Sequence, residues 1–121
     1  MVEEWEKDLR EELNDPKFAR AYGAECARSE FGLALLNARQ KCKLTQKQLS
    51  GKLGIRQPYI AQLESGEANP TLSTAGRILA SLGLKLVVTT TPLTPDIEPF
   101  YGKTNTKQVS LVAEKKAKYS K

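Results

Sequence analysis

Histidine is absent from these 121 residues, and cysteine occurs only at Cys26 and Cys42. The chain therefore lacks the usual general base and the commonest metal ligand. Two cysteines without metal-ligand spacing supply neither a disulfide framework nor a zinc site, so two reduced, partly buried thiols are expected. No nucleophile motif and no glycine-rich phosphate loop is present, and neither an enzyme nor a metal or cofactor is expected. No apolar run approaches the roughly 18 residues that a membrane span needs. The opening stretch, MVEEWEKDLREELND, is acidic and charged rather than a secretory signal. A cytoplasmic location without a membrane partner is the resulting expectation.

Charge is present, and its distribution says more than the net +5. Residues 1–15 hold seven acids against Lys7 and Arg10. Residues 39–85 hold eight bases against Glu64 and Glu67, and residues 102–121 hold six lysines against Glu114. A basic middle and tail point to a polyanionic partner, for which nucleic acid is the usual choice. A merely solvated surface is the alternative.

Val2, Trp5, Leu9 and Leu13 share one face of an acidic helix. Asp15 suits a helix cap and Pro16 a first helical position, where its missing N–H costs nothing. Residues 16–42 keep a helical pattern through Phe18, Tyr22, Phe31, Leu35 and Ala38. Gly23 and Gly32 weaken it, and Ser29 with Glu30 offers a second start, so one interrupted helix or two are predicted. Thr45 and Gln48 have capping-box spacing, with Leu44 and Leu49 flanking as a hydrophobic staple. Leu49 and Leu53 continue the buried stripe, and Gly54 supplies a left-handed stop. Another helix starts almost at once at Arg56-Gln57-Pro58, with its proline in the first turn, where it is tolerated. Thr71 caps a last helix whose core face is Leu72, Ala75, Ile78, Leu79 and Leu82. The β-branched run Leu86–Thr91 reads as a strand ended by Pro92. Pro92, Pro95 and Pro99 make an extended linker to a flexible basic tail.

Two short helices joined by a tight glycine turn fit a helix-turn-helix, whose second helix lies in the DNA major groove. Along that second helix Ile60 and Leu63 point one way. Pro58, Ala61 and Gln62 point the other, with Gln57 on one flank and Tyr59 on the opposite one. The outward face is small, amide-rich and free of acids. Glutamine can pair with both N6 and N7 of adenine, and apolar groups suit the thymine methyl. A surface helix without such a task more often carries Glu–Lys pairs.

Residues 35–84 resemble the Cro/cI-type (XRE) helix-turn-helix family. The resemblance rests on LTQ-x-QL, the KLGI turn, the QPYI-x-x-LESG helix end and the NPTL start of the next helix. It implies a mainly α, five-helix, lambda-repressor-like domain, here with an N-terminal helical extension and one short C-terminal strand. The expected organisation is an acidic extension over residues 1–28, the DNA-binding domain over 29–91, and a linker and basic tail over 92–121. By the same resemblance Gln46 approaches a phosphate and braces Gln57, and Arg39 and Glu64 form a buried ion pair. The DNA-facing set comprises Thr45, Gln46, Lys47, Arg56, Gln57, Pro58, Tyr59, Gln62, Ser65 and Asn69. Arg56 departs from the family, which has Ser or Thr there, and is read as a phosphate clamp or a base contact. Gly51 is a second departure, and Ser50 a third, keeping the small volume of the usual alanine.

One such motif reads only a few base pairs, so a homodimer on a palindromic operator in double-stranded DNA is expected, with the Leu86–Thr91 strand as first candidate for pairing the subunits. The extension NDPKFARAY, followed by SEFGLALLNARQK and LTQ, looks like the HigA-type antitoxins of toxin–antitoxin pairs. That resemblance implies a protein that represses its own operon and neutralises a basic ribonuclease toxin. The acidic first helix would meet the toxin through Trp5, Asp8, Leu9 and Glu12. A stand-alone prophage or restriction-control repressor is the alternative.

Overall fold

A computed structural model of the chain describes residues 4–93. Five helices follow one another: α1 (Glu4–Leu13), α2 (Pro16–Lys41), α3 (Gln46–Leu53), α4 (Gln57–Ser65) and α5 (Leu72–Ser81). The residues up to Val88 belong to one unit. Val2, Pro95, Pro99 and the basic tail lie outside the described residues.

Most helix boundaries follow from local chemistry. The Asp15 carboxylate accepts from the Lys17 N–H at 3.0 Å, and Pro16 opens α2. Thr45 and Gln48 close the reciprocal capping box of α3, at 3.0 and 2.8 Å. Thr71 Oγ1 accepts from the Thr74 N–H at 3.1 Å to start α5. Gly54, Gly66 and Gly83 take left-handed φ values of 66°, 82° and 78° at the three helix ends, where a Cβ would be strained.

Residues 16–41 form one uninterrupted helix of 26 residues, not an interrupted helix or a pair. The five helices accordingly include the N-terminal extension rather than adding to it. Two glycines cost a helix only about 1 kcal/mol each, and burial of Leu35 and Ala38, with Phe31 packed alongside, outweighs that. Gly32 also has a positive reason to be there. A Cβ on it would sit 2.5 Å from the Leu63 carbonyl oxygen and 2.7 Å from that of Glu64. The bare backbone lets α2 pass directly against the last turn of α4.

The core is Leu35, Leu49, Ile60, Leu63 and Ile78, one or two residues from each of α2 to α5. Leu44, Leu53, Ile55, Tyr59 and Leu82 close it from the sides. One expected core position falls outside it. Leu72 is 73% exposed because it is the first residue of α5, beyond the reach of the elements that cover Ala75, Ile78 and Leu79. Trp5 is 63% exposed, although it shares a face with Leu9 and Leu13. Burial on α1 is confined to Leu13 at its C-terminal end, where the chain turns at Asn14–Asp15 into α2.

The expected strand over 86–91 is not seen in the single chain: among the described residues there is no strand. A β-branched run favours an extended chain but needs a partner to become a ladder. Among the described residues no backbone hydrogen bond reaches residues 85–93. Both thiols are free, but Cys42 is exposed rather than partly buried, because it caps the C-terminus of α2. Among the described residues no helix is long and apolar enough to cross a membrane.

Candidate nucleic-acid interface

The α3–α4 unit owes its shape to a short turn, Gly54 to Arg56. The Ser50 carbonyl accepts from the N–H groups of both Gly54 and Ile55, and the Ser50 hydroxyl donates to the Ile55 carbonyl. Ser50 therefore clamps the turn at three points. Reading it from sequence only as a small residue at a helix crossing misses this; its hydroxyl was the available signal.

Helix α4 buries Ile60 and Leu63 and leaves Gln57, Pro58 and Gln62 exposed. Ala61 is half-buried, and Tyr59 is half-buried against the core. Thr45 and Lys47 are exposed at the start of α3, with Gln46 half-buried between them. Ser65 and Asn69 are exposed beyond α4, but the Ser65 hydroxyl is engaged, donating to the Gln62 carbonyl at 3.1 Å. Of the extension residues, Trp5, Asp8 and Glu12 are exposed and Leu9 is half-buried, on α1.

Behind this surface Arg39 Nε donates to Glu64 Oε2 at 2.7 Å and Nη2 to Oε1 at 3.1 Å. The two side chains are only 12% and 5% exposed. The hydrogen bond to Glu64 raises the Arg39 pKa above its ordinary value, against the opposing effect of burial. Arg39 Nη1 also donates to the Leu44 carbonyl at 2.8 Å, tying the pair to the residue before the α3 cap. The Gln46 amide departs from the expected bracing of Gln57. It donates to Glu64 Oε1 at 3.0 Å, because the buried carboxylate is the stronger acceptor within its reach.

From residue 31 to residue 63 the chain has no Asp or Glu. Within that stretch two local rules are broken, each time in favour of a cation. Lys43 takes a left-handed φ of 58°, the one non-glycine among the described residues to do so, at a cost of about 1–2 kcal/mol. Arg56 occupies the N-cap of α4 without a side-chain capping bond. Both departures place a cation beside the same helix pair. Arg56→Ser is expected to raise stability by about 0.5–2 kcal/mol through a new cap, and Lys43→Gly to raise it by relieving φ. Urea denaturation checks both.

A capped helix, a glycine turn and a second helix with one buried and one acid-free face define a helix-turn-helix, a fold whose second helix enters the major groove. The family model described as Helix-turn-helix matches residues 35–88. An uncharacterised HTH-type transcriptional regulator of Sinorhizobium fredii, y4dJ, is 33% identical over 73 residues, 60% of this chain and 92% of that protein. The chain belongs to the helix-turn-helix family of Cro/cI (XRE) type, which is non-enzymatic. It is also similar to an uncharacterised HTH-type transcriptional regulator of Haemophilus influenzae, 43% identical over 54 residues, 45% of this chain and 55% of that one. Human endothelial differentiation-related factor 1 is 40% identical over 57 residues, 47% of this chain and 38% of that protein. The chain thus spans about half the length, or less, of these last two relatives. No solved structure matches it significantly.

Proposed function

We propose that the chain is a sequence-specific DNA-binding transcriptional repressor that acts as a homodimer on a palindromic operator. One observation carries the reading: α4 turns Gln57, Pro58 and Gln62 outward and buries its single carboxylate, Glu64, against Arg39, while Ile60 and Leu63 hold it to the core. Gln57 and Gln62 are the base readers, and Lys43, Thr45, Gln46, Lys47 and Arg56 meet the backbone. Nine residues of recognition helix read one half-site, so two copies are needed for an operator. Gel shifts with the DNA upstream of its own coding region test this. Binding should weaken steeply with salt, and Gln57→Ala should relax discrimination at one base pair by about 1–3 kcal/mol without moving the melting temperature. Salt-insensitive binding, or none, would sink the reading.

The finer reading is an antitoxin, the repressor of its own operon and the inhibitor of a ribonuclease toxin. Its support is an exposed Trp5 on a helix that also carries Glu4, Glu6, Asp8, Glu11 and Glu12. An apolar anchor ringed by acids suits a basic protein surface. Co-expression with the neighbouring reading frame decides between this and the stand-alone repressor. The antitoxin reading expects a stable complex with a basic neighbour, weakened about tenfold or more by Trp5→Ala while DNA binding is unchanged. A chain that purifies free of its neighbour's product is the stand-alone repressor.

A further inference from the structure

The Gln46 side chain links the exposed start of α3 to the interior of the domain. Its Nε2 donates to Glu64 Oε1 at 3.0 Å, and the same carboxylate is gripped by Arg39 Nε at 2.7 Å and Nη2 at 3.1 Å. A carboxylate only accepts hydrogen bonds. An amide against it must turn its nitrogen inward, because the flipped orientation would set two acceptor oxygens against each other. Glu64, 18 residues further along the chain, therefore fixes the amide, which helix geometry alone would leave free to turn. Gln46 is half-buried between the exposed Thr45 and Lys47, and Glu64 takes only one of its amide hydrogens. Its second Nε2 hydrogen is the donor left for an external acceptor. A DNA phosphate is an acceptor of the same kind as the carboxylate behind it.

We infer that Glu64 is a positioning residue for the DNA backbone: it turns the Gln46 amide so that an N–H faces a phosphate, coupling DNA affinity to the buried Arg39–Glu64 pair. The inference rests on the reading of α3 and α4 as a DNA-binding surface. Arg39 has two parts in it. It neutralises the carboxylate, so that Glu64 does not oppose the phosphate, and through Leu44 it holds the first turn of α3 in place. Gln57, unbraced by Gln46, keeps its whole amide for a base.

The test is a double-mutant cycle on the full chain, with the DNA upstream of its coding region as probe. Gln46→Ala is made in the wild type and in Arg39→Met/Glu64→Met, whose apolar pair replaces the ion pair with little expected loss of stability. In the wild type Gln46→Ala should weaken binding about tenfold and reduce the salt slope by about 0.9, one phosphate contact. In the Met/Met background, already weakened to a similar degree, it should cost less than about twofold. Equal losses in both backgrounds overturn the inference. A second readout needs no substitution in the pair. In the wild-type chain, NMR should show one Gln46 side-chain amide proton held in the free protein and the other shifting when the duplex is added. If both stay fixed, the inference fails while the DNA-binding reading stands. If the wild type shifts no duplex at all, both fail.

Discussion

Gly32→Ala is expected to lower the stability of the domain by about 3 kcal/mol, the upper end of ordinary overpacking. The added Cβ would lie 2.5 Å from the Leu63 carbonyl oxygen and 2.7 Å from that of Glu64. Both are backbone atoms in the last turn of α4, so no side chain can swing aside. Relief requires α4 to move away from α2, which also opens the contacts around Leu35, Ile60 and Leu63 and stretches the Arg39–Glu64 pair. Against a total of about 5–15 kcal/mol for a domain, the loss is large. Gly51→Ala supplies the control. Nothing lies within 4 Å of a Cβ there, so the same chemical change should add about 0.5–1 kcal/mol through helix propensity. Urea denaturation of the two variants should move the midpoint in opposite directions. A Gly32→Ala midpoint at or above the wild-type value would contradict the close α2–α4 packing.

Arg39→Ala and Glu64→Ala should each cost about 3–5 kcal/mol, because either leaves a buried charge without its partner. Replacing both by methionine should cost far less, since the penalty comes from the orphaned charge and not from loss of the pair. Arg39 has a raised pKa, caused first by its hydrogen bond to Glu64. A raised pKa in the folded state means a contribution fully present below the ordinary arginine value and lost only as pH climbs past the folded one. From the arginine side, stability should therefore be flat across the neutral and mildly alkaline range. With side chains only 12% and 5% exposed, salt should screen the pair weakly. Thermal melts of the single and double variants, at low and high salt, check both statements. Equal losses for single and double replacement would show that packing, not the unpaired charge, sets the cost.

The two experiments concern features that differ in how visible they were in the chain. Arg39 and Glu64 were legible because the helix-turn-helix motif fixes their places: Glu64 falls on the Ile60 face of α4 and Arg39 on the preceding helix. Gly32 was visible only as a helix-weakening residue. Its value depends on what lies opposite, the last turn of a helix some 30 residues further along, and no local pattern encodes that. Gln46 is similar. Its place in a capped first turn was readable, whereas its bond to Glu64 rather than Gln57 depends on which acceptor the packing brings nearest.

What the sequence determined by itself was local: the caps at Asp15, Thr45 and Thr71, the left-handed Gly54, the 3.6-residue apolar period, and an acid-free stretch from residue 31 to residue 63. Each of these is set by a side chain acting on its own backbone neighbours or by composition alone. Tertiary structure decided the matters that need a partner. Among the described residues it gave Leu86–Thr91 no strand partner, since β-branched residues extend a chain but cannot supply a second strand. It left Trp5 and Leu72 in solvent, since periodicity gives the direction of a side chain but not whether anything stands there to cover it. It made Gly32 a requirement, since close approach is a property of two surfaces.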